Sequence, residues 1–205
     1  MRSIVLFGGT FNPIHEGHLA MCQAAYKACN PEKVILIPSL SPHYKKTEQL
    51  LDAETRIRMC RLAAEPYPYI EVSDVEVRQA GPVYTADTVR RMAQRFPGYH
   101  LYWLLGTDML ARFTKWHHWQ EICRYVTLLA APREIPESAE LEESLHRLWQ
   151  IGYEPQFLHT ARVDISSTWI RSQAAAGNIP RGFPESIRPY WKYYEKSGIS
   201  LQGLA

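Results

Sequence analysis

Six short runs of the chain, at residues 4–7, 34–38, 70–73, 101–105, 126–131 and 156–159, are near-continuous in apolar residues. A strand with one wet face alternates apolar and polar residues, whereas a strand buried on both faces does not. The runs therefore predict buried strands. Between them lie longer amphipathic segments that predict helices over 15–28, 53–64, 86–95, 116–123 and 139–149, followed by two more over 168–176 and 184–195. Strand–helix alternation with connections of this length implies right-handed crossovers and a parallel sheet covered by helices on both faces. In such a sheet a ligand sits beyond the carboxyl ends of the strands, so the residues that follow each strand carry the functional information.

The chain has 205 residues, which at about 150 per domain predicts a single domain. Hydrophobic residues at 46% and charged residues at 21% exclude a disordered chain. No apolar run approaches the roughly 20 residues of a membrane span. The opening Ser3-Ile4-Val5-Leu6-Phe7 is too short for a secretory signal. A net charge of +2 provides no global field for nucleic acid, so any anion site must be local. The four cysteines Cys22, Cys29, Cys60 and Cys123 form no C-x-x-C pair, and reduced thiols of a cytoplasmic protein are expected. The sequence has no repeats. Residues 132–138 read as a surface loop and residues 177–184 as a linker-like stretch between the last two helices.

After the first run comes Gly8-Gly9-Thr10-Phe11-Asn12-Pro13-Ile14-His15-Glu16-Gly17-His18. The two glycines suit a tight turn and close approach to a ligand. A helix opening near His15 offers free N–H groups and a positive dipole end to an anion. Spaced three apart, His15 and His18 share a face. A dinucleotide loop would need G-x-G-x-x-G and a zincin H-E-x-x-H; neither is present. A glycine turn with two bystander histidines leaves the joint occurrence of glycine, proline and paired histidine unexplained.

The other runs are also followed by groups that suit a nucleotide. His43, Lys45 and Lys46 follow the second, and Tyr84, Thr85 and Asp87 come after the third, with Thr85 as the expected N-cap. The fourth leads into Gly106-Thr107-Asp108 and Trp116-His117-His118-Trp119; an Asp there can accept from ribose hydroxyls and a Trp can stack on a heteroaromatic ring. Arg133 follows the fifth. Past the sixth, Ile165-Ser166-Ser167-Thr168-Trp169-Ile170-Arg171 combines an expected N-cap at Ser167 with a guanidinium fork suited to phosphate oxygens. Core packing remains the alternative for Trp116, and a solvated basic turn the alternative for His43 and its lysines.

Residues 9–18 resemble the nucleotidyltransferase signature G-x-[FY]-x-P-x-H-x-G-H. The short form H-x-G-H also occurs in class I aminoacyl-tRNA synthetases, which need a longer chain and a second lysine- and serine-rich motif. The I-S-S-T-x-[IV]-R element at 165–171 belongs to the same superfamily. The Ser41-to-Lys45 loop, the Val83-to-Thr88 element and Gly106 to Asp108 with the paired tryptophans make the chain similar to the bacterial nicotinate mononucleotide adenylyltransferases. Asn12 stands where that family often has Asp, Val83 where it has Ser, and Tyr44 intrudes before Lys45.

The resemblance implies an α/β fold of the Rossmann-like, doubly wound, parallel type. One nucleotidyltransferase domain would span residues 1–205, with about 165–205 as a small C-terminal helical part. It implies ATP and nicotinate mononucleotide as substrates, Mg²⁺ accompanying ATP, no dedicated metal ligands, and no nucleic-acid or membrane partner; a homo-oligomer stays open. On this reading His15, His18 and Arg171 are catalytic. Gly8, Gly9, Thr10, Phe11, Gly106, Asp108, Ile165, Ser166 and Ser167 bind ATP. His43, Lys45, Tyr84, Thr85, Trp116 and Arg133 bind the mononucleotide. Another acceptor, such as phosphopantetheine or nicotinamide mononucleotide, and a non-catalytic nucleotide-binding module are the alternatives.

Overall fold

The computed structural model describes residues 1–40, 50–132, 138–159, 165–179 and 181–191. Strands β1 (Ser3–Gly9), β2 (Lys33–Pro38), β3 (Ile70–Val72), β4 (His100–Gly106), β5 (Val126–Ala131) and β6 (Gln156–Phe157) form one sheet in the order β3-β2-β1-β4-β5-β6. Each neighbouring pair is parallel. The order reverses between β1 and β4, and that switch point opens a crevice at the carboxyl edge of the sheet.

Alternate residues of the inner strands go to opposite faces. Val5 and Phe7 of β1, Val34 and Leu36 of β2 and Leu104 of β4 pack into one apolar cluster with Leu19 and Cys22 of α1 (Glu16–Cys29) and Met59 and Cys60 of α2 (Ala53–Ala64). Ile4 and Leu6, Ile35 and Ile37, and Trp103 and Leu105 pack into a second. It receives Val89 of α3 (Thr85–Arg95), Phe113 of α4 (Thr107–Phe113), Ile122 of α5 (Trp119–Tyr125) and Leu148 of α6 (Ala139–Gln150). Burial on both faces explains the unbroken apolar runs. The chain after β6 returns to the first cluster: Ile170 and Ala174 of α7 (Ser167–Ala175), Phe183, Ile187 and Trp191 are all buried there.

The helices differ from expectation in five places. Helix α4 follows β4 directly, with Gly106 as its N-cap, in a segment that is not among the expected helices. The Trp116 segment is helical only from Trp119. His118 takes φ 53° as the N-cap of α5, a left-handed conformation that no helix interior tolerates. Tyr84 rather than Thr85 caps α3, and Ser166 rather than Ser167 caps α7, its Oγ accepting the Trp169 N–H at 3.1 Å. Of the last expected helix, the described part is a 3₁₀ turn, Glu185–Tyr190, containing Pro189, which has no N–H to donate.

Candidate active site

The turn after β1 is built by close packing. An added Cβ at Gly8 would lie 2.5 Å from the Trp103 ring, and one at Gly9 would lie 2.9 Å from the Phe11 ring. The sequence assigns these glycines to a tight turn, but both end the strand, and close packing of those two rings is what requires them. The left-handed residue is Phe11, at φ 47°. Its ring is buried edge-on between Phe7 at 5.4 Å and His18 at 5.0 Å. The Asn12–Pro13 peptide that follows is cis.

His15 is the N-cap of α1 and His18 is its third residue. The His15 N–H donates to His18 Nδ1 at 3.2 Å, so His18 in its neutral form carries its proton on Nε2. The two imidazoles stack with centroids 3.7 Å apart, and His15 is almost wholly buried. The spacing of three thus brings the rings together, although His15 caps the helix rather than lying on it. The helix start is less open than expected, because the Glu16 N–H is taken by the Gly182 carbonyl at 3.0 Å.

Helix α7 closes over the turn from the far end of the sequence. Arg171 Nη1 donates to the Asn12 carbonyl at 2.8 Å and Nη2 to Thr168 Oγ1 at 3.3 Å. Ser167 Oγ donates to the Pro13 carbonyl at 2.9 Å. Half-buried Ile165 lies beside them, its carbonyl 3.5 Å from the position of a Cβ on Gly17. Asn12 Oδ1 accepts the Leu51 N–H at 3.3 Å. An amide oxygen fills that role as a carboxylate would, which accounts for Asn at this position.

At the neighbouring strand ends, Gly106 is buried opposite Ala131 in the β4–β5 register, and Asp108 is half-buried in the first turn of α4. Neither α3 nor α4 has a side chain capping its start, in contrast to α2, α6 and α7, which are capped by Asp52, Ser138 and Ser166. The positive dipole end of a helix start favours an anion. Tyr84 stands half-exposed at the α3 start, its ring 4.2 Å from that of His117. Trp116 is half-buried against Phe113 at 5.3 Å, among the residues around the second cluster. Thr85 begins α3 beside Tyr84. His43, Lys45 and Arg133 lie outside the described residues.

Two buried groups are absent from the sequence reading. Arg56 of α2 is fully buried and donates to three main-chain carbonyls: Thr10 at 2.8 Å, Leu51 at 3.0 Å and Leu40 at 3.1 Å. Its signal was a charge at a helix position shared with Met59, Cys60 and Ala63 of the apolar face. Glu76 is buried and accepts from Thr88 Oγ1 at 2.7 Å. Burial pushes its carboxyl up from 4.5 to about 7, against the Thr88 hydrogen bond and the Arg56 charge, which favour ionisation.

A doubly wound parallel sheet with two imidazoles and a guanidinium gathered on the turn after its first strand defines the class of nucleotidyltransferases. The family description "Cytidylyltransferase-like" matches residues 6–173. A probable nicotinate-nucleotide adenylyltransferase of Lachnoclostridium phytofermentans is 32% identical over 93% of this chain and 96% of its own length. Another, of Dehalococcoides mccartyi, is 36% identical over 91% and 93%. The solved structure of Plasmodium falciparum nicotinic acid mononucleotide adenylyltransferase complexed with NaAD superposes with a TM-score of 0.77 at 16% identity, covering 98% of this chain and 100% of that one. The chain belongs to the cytidylyltransferase-like family and, within it, to the nicotinate-nucleotide adenylyltransferases.

Proposed function

We propose that this chain transfers the adenylyl group of ATP to nicotinate mononucleotide, forming nicotinate adenine dinucleotide and pyrophosphate in NAD biosynthesis. The observation that carries the reading is the convergence of His15, His18 and Arg171 on the turn after β1, at the switch point of the sheet. An oxygen of the mononucleotide's 5′-phosphate attacks the α-phosphorus of ATP in line. The new P–O bond forms as the bond to the β-phosphate oxygen breaks, and pyrophosphate leaves with that electron pair. A phosphate monoester is mostly ionised near neutral pH, so the attack needs no strong base, and catalysis is positioning plus stabilisation of developing charge.

The paired imidazoles suit that task. With Nδ1 of His18 accepting from the His15 N–H, the neutral ring carries its proton on Nε2, a donor suited to a phosphate oxygen. Arg171 brings a guanidinium fork to the same turn, and Ser166 and Ser167 bring the α7 start beside it; together they hold the β- and γ-phosphates. Gly8, Gly9, Thr10 and Phe11 line the nucleotide, while Gly106 and Asp108 hold ribose. The α3 start at Tyr84 and Thr85 takes the nicotinate carboxylate, with Trp116 beside the pyridine, and His43, Lys45 and Arg133 receive the mononucleotide phosphate. ATP enters as its magnesium complex. Asp108 is a single carboxylate, and the described residues hold no group of three potential ligands; this donor set fits an ion carried by phosphate and water. Among the described residues no helix is long and apolar enough to cross a membrane, and the buried thiols of Cys22 and Cys60 suit a reduced cytoplasmic setting.

The test is pyrophosphate release from ATP and Mg²⁺ with nicotinate mononucleotide, nicotinamide mononucleotide or phosphopantetheine as acceptor. Nicotinate mononucleotide should give the highest kcat/KM. Release with phosphopantetheine alone, or with none of the three, would overturn the reading.

A further inference from the structure

We propose that Arg56 is a positioning residue for ATP, holding the Thr10–Phe11 peptide so that its N–H faces the phosphates. The inference rests on the reading of the β1 turn as the ATP cradle, and it assigns a task to a side chain that touches no substrate. A trans peptide is planar, with its C=O and N–H pointing in opposite directions. Arg56 Nη1 holds the Thr10 carbonyl at 2.8 Å from within the core. The Phe11 N–H of that same peptide therefore points away from Arg56, and among the described residues no acceptor meets it.

The peptide does not keep this orientation by its own preference. Phe11 has φ 47°, a left-handed conformation that costs a non-glycine residue about 1 kcal/mol or more. Two contacts offset that cost. The Phe11 ring is buried against Gly9, Phe7 and His18, and Arg56 fixes the carbonyl. The same guanidinium bonds the Leu40 and Leu51 carbonyls, so it is anchored at three points and cannot swing to follow the turn. Arg171 and Ser167 grip the next carbonyls, at Asn12 and Pro13, from α7. The main chain of the turn is thus held from both sides, and its outward N–H direction is set before ATP arrives.

Lysine at position 56 keeps the charge but offers one nitrogen in place of the three-point fork. Arg56→Lys should raise the Kd for the ATP–magnesium complex, measured by calorimetry, at least tenfold. The KM for ATP should rise in proportion, while the KM for nicotinate mononucleotide stays within threefold. Leu148→Ala, a core truncation in α6 far from the turn, serves as the control for lost stability and should leave both KM values within twofold. Equal increases in both KM values, or an ATP Kd within threefold of wild type, would reduce Arg56 to a packing residue. Should Arg56→Lys fail to fold, the wild-type protein supplies the second test. With ¹⁵N-phenylalanine labelling, saturating ATP and Mg²⁺ should slow exchange of the Phe11 amide at least tenfold, and unchanged exchange would overturn the proposal. Calorimetry and exchange use ATP alone, so they remain decisive even if nicotinate mononucleotide proves not to be the acceptor.

Discussion

Glu76→Gln should stabilise the protein at alkaline pH and leave it nearly unchanged at acid pH. The carboxyl is buried, with Thr88 Oγ1 as its hydrogen-bond donor at 2.7 Å. Burial holds it at about 7 in the fold against an ordinary 4.5. At roughly 1.4 kcal/mol per pH unit, that difference makes the ionised native state on the order of 3 kcal/mol costlier than the protonated one. For a carboxyl raised on folding, the native state binds the proton more tightly than the unfolded chain. Its contribution to stability is complete below the unfolded value of 4.5 and is lost as pH rises through about 7. Glutamine keeps an acceptor for the Thr88 hydroxyl and cannot ionise. Urea unfolding at about pH 5 should place the two proteins within about 1 kcal/mol of each other, and at about pH 8.5 Glu76→Gln should be more stable by about 2–3 kcal/mol. A difference that stays constant across this range would refute the reasoning, because it would mean that Glu76 does not change its charge between the two conditions.

His18→Ala should lower kcat by about 10²-fold or more, the scale of losing one preorganised charge-stabilising donor; turnover within threefold of wild type in a folded variant would remove His18 from the chemistry. Arg171→Lys should raise the KM for ATP, since one ammonium cannot serve both the Asn12 carbonyl and a phosphate as the fork can; steady-state kinetics with varied ATP reads this, and an unchanged KM would confine Arg171 to holding the turn. The uncapped α3 start at Tyr84 should favour nicotinate over nicotinamide mononucleotide. An amide there sets its NH₂ against N–H donors at about 1–3 kcal/mol per mismatch, and two mismatches give about 10²–10⁴-fold in kcat/KM. A ratio near one would mean that the carboxylate is read elsewhere.

The sheet was the most legible part of the fold, because burial on both faces leaves so distinct an apolar pattern. All six strands stand where the runs lie, and α2 runs over Ala53–Ala64 as its periodicity predicts. The sequence misleads where local chemistry imitates another structure. No helix is expected after Gly106-Thr107-Asp108, yet glycine in extended backbone also caps a helix, and Leu110 and Phe113 carry the apolar face of α4. Trp116 and Trp119 are spaced like helical neighbours, yet His118 between them is left-handed. In the candidate site, the paired histidines are visible because their stacking follows from local spacing within nine residues of the strand. Arg56 is not, because its importance lies in the three carbonyls it reaches, and those come from segments that only the tertiary fold assembles.

The grip of α7 on the β1 turn also governs when the site comes into being. The Ser167–Pro13 and Arg171–Asn12 hydrogen bonds join residues 154 and 159 positions apart. Closing a loop of that length costs about 2 kcal/mol more chain entropy than closing one of ten residues. Contacts so distant in sequence form late unless the intervening chain has already condensed. During synthesis from the N-terminus, the sheet can assemble through β5 while Arg171 is still to be made. A nascent chain therefore holds its histidine pair without its arginine, and under the proposed roles full phosphate binding arrives only with the last fifth of the polypeptide. Under the same proposed roles ATP should stabilise the finished protein selectively over its truncated forms, because the phosphate contacts come with the segment that completes the fold.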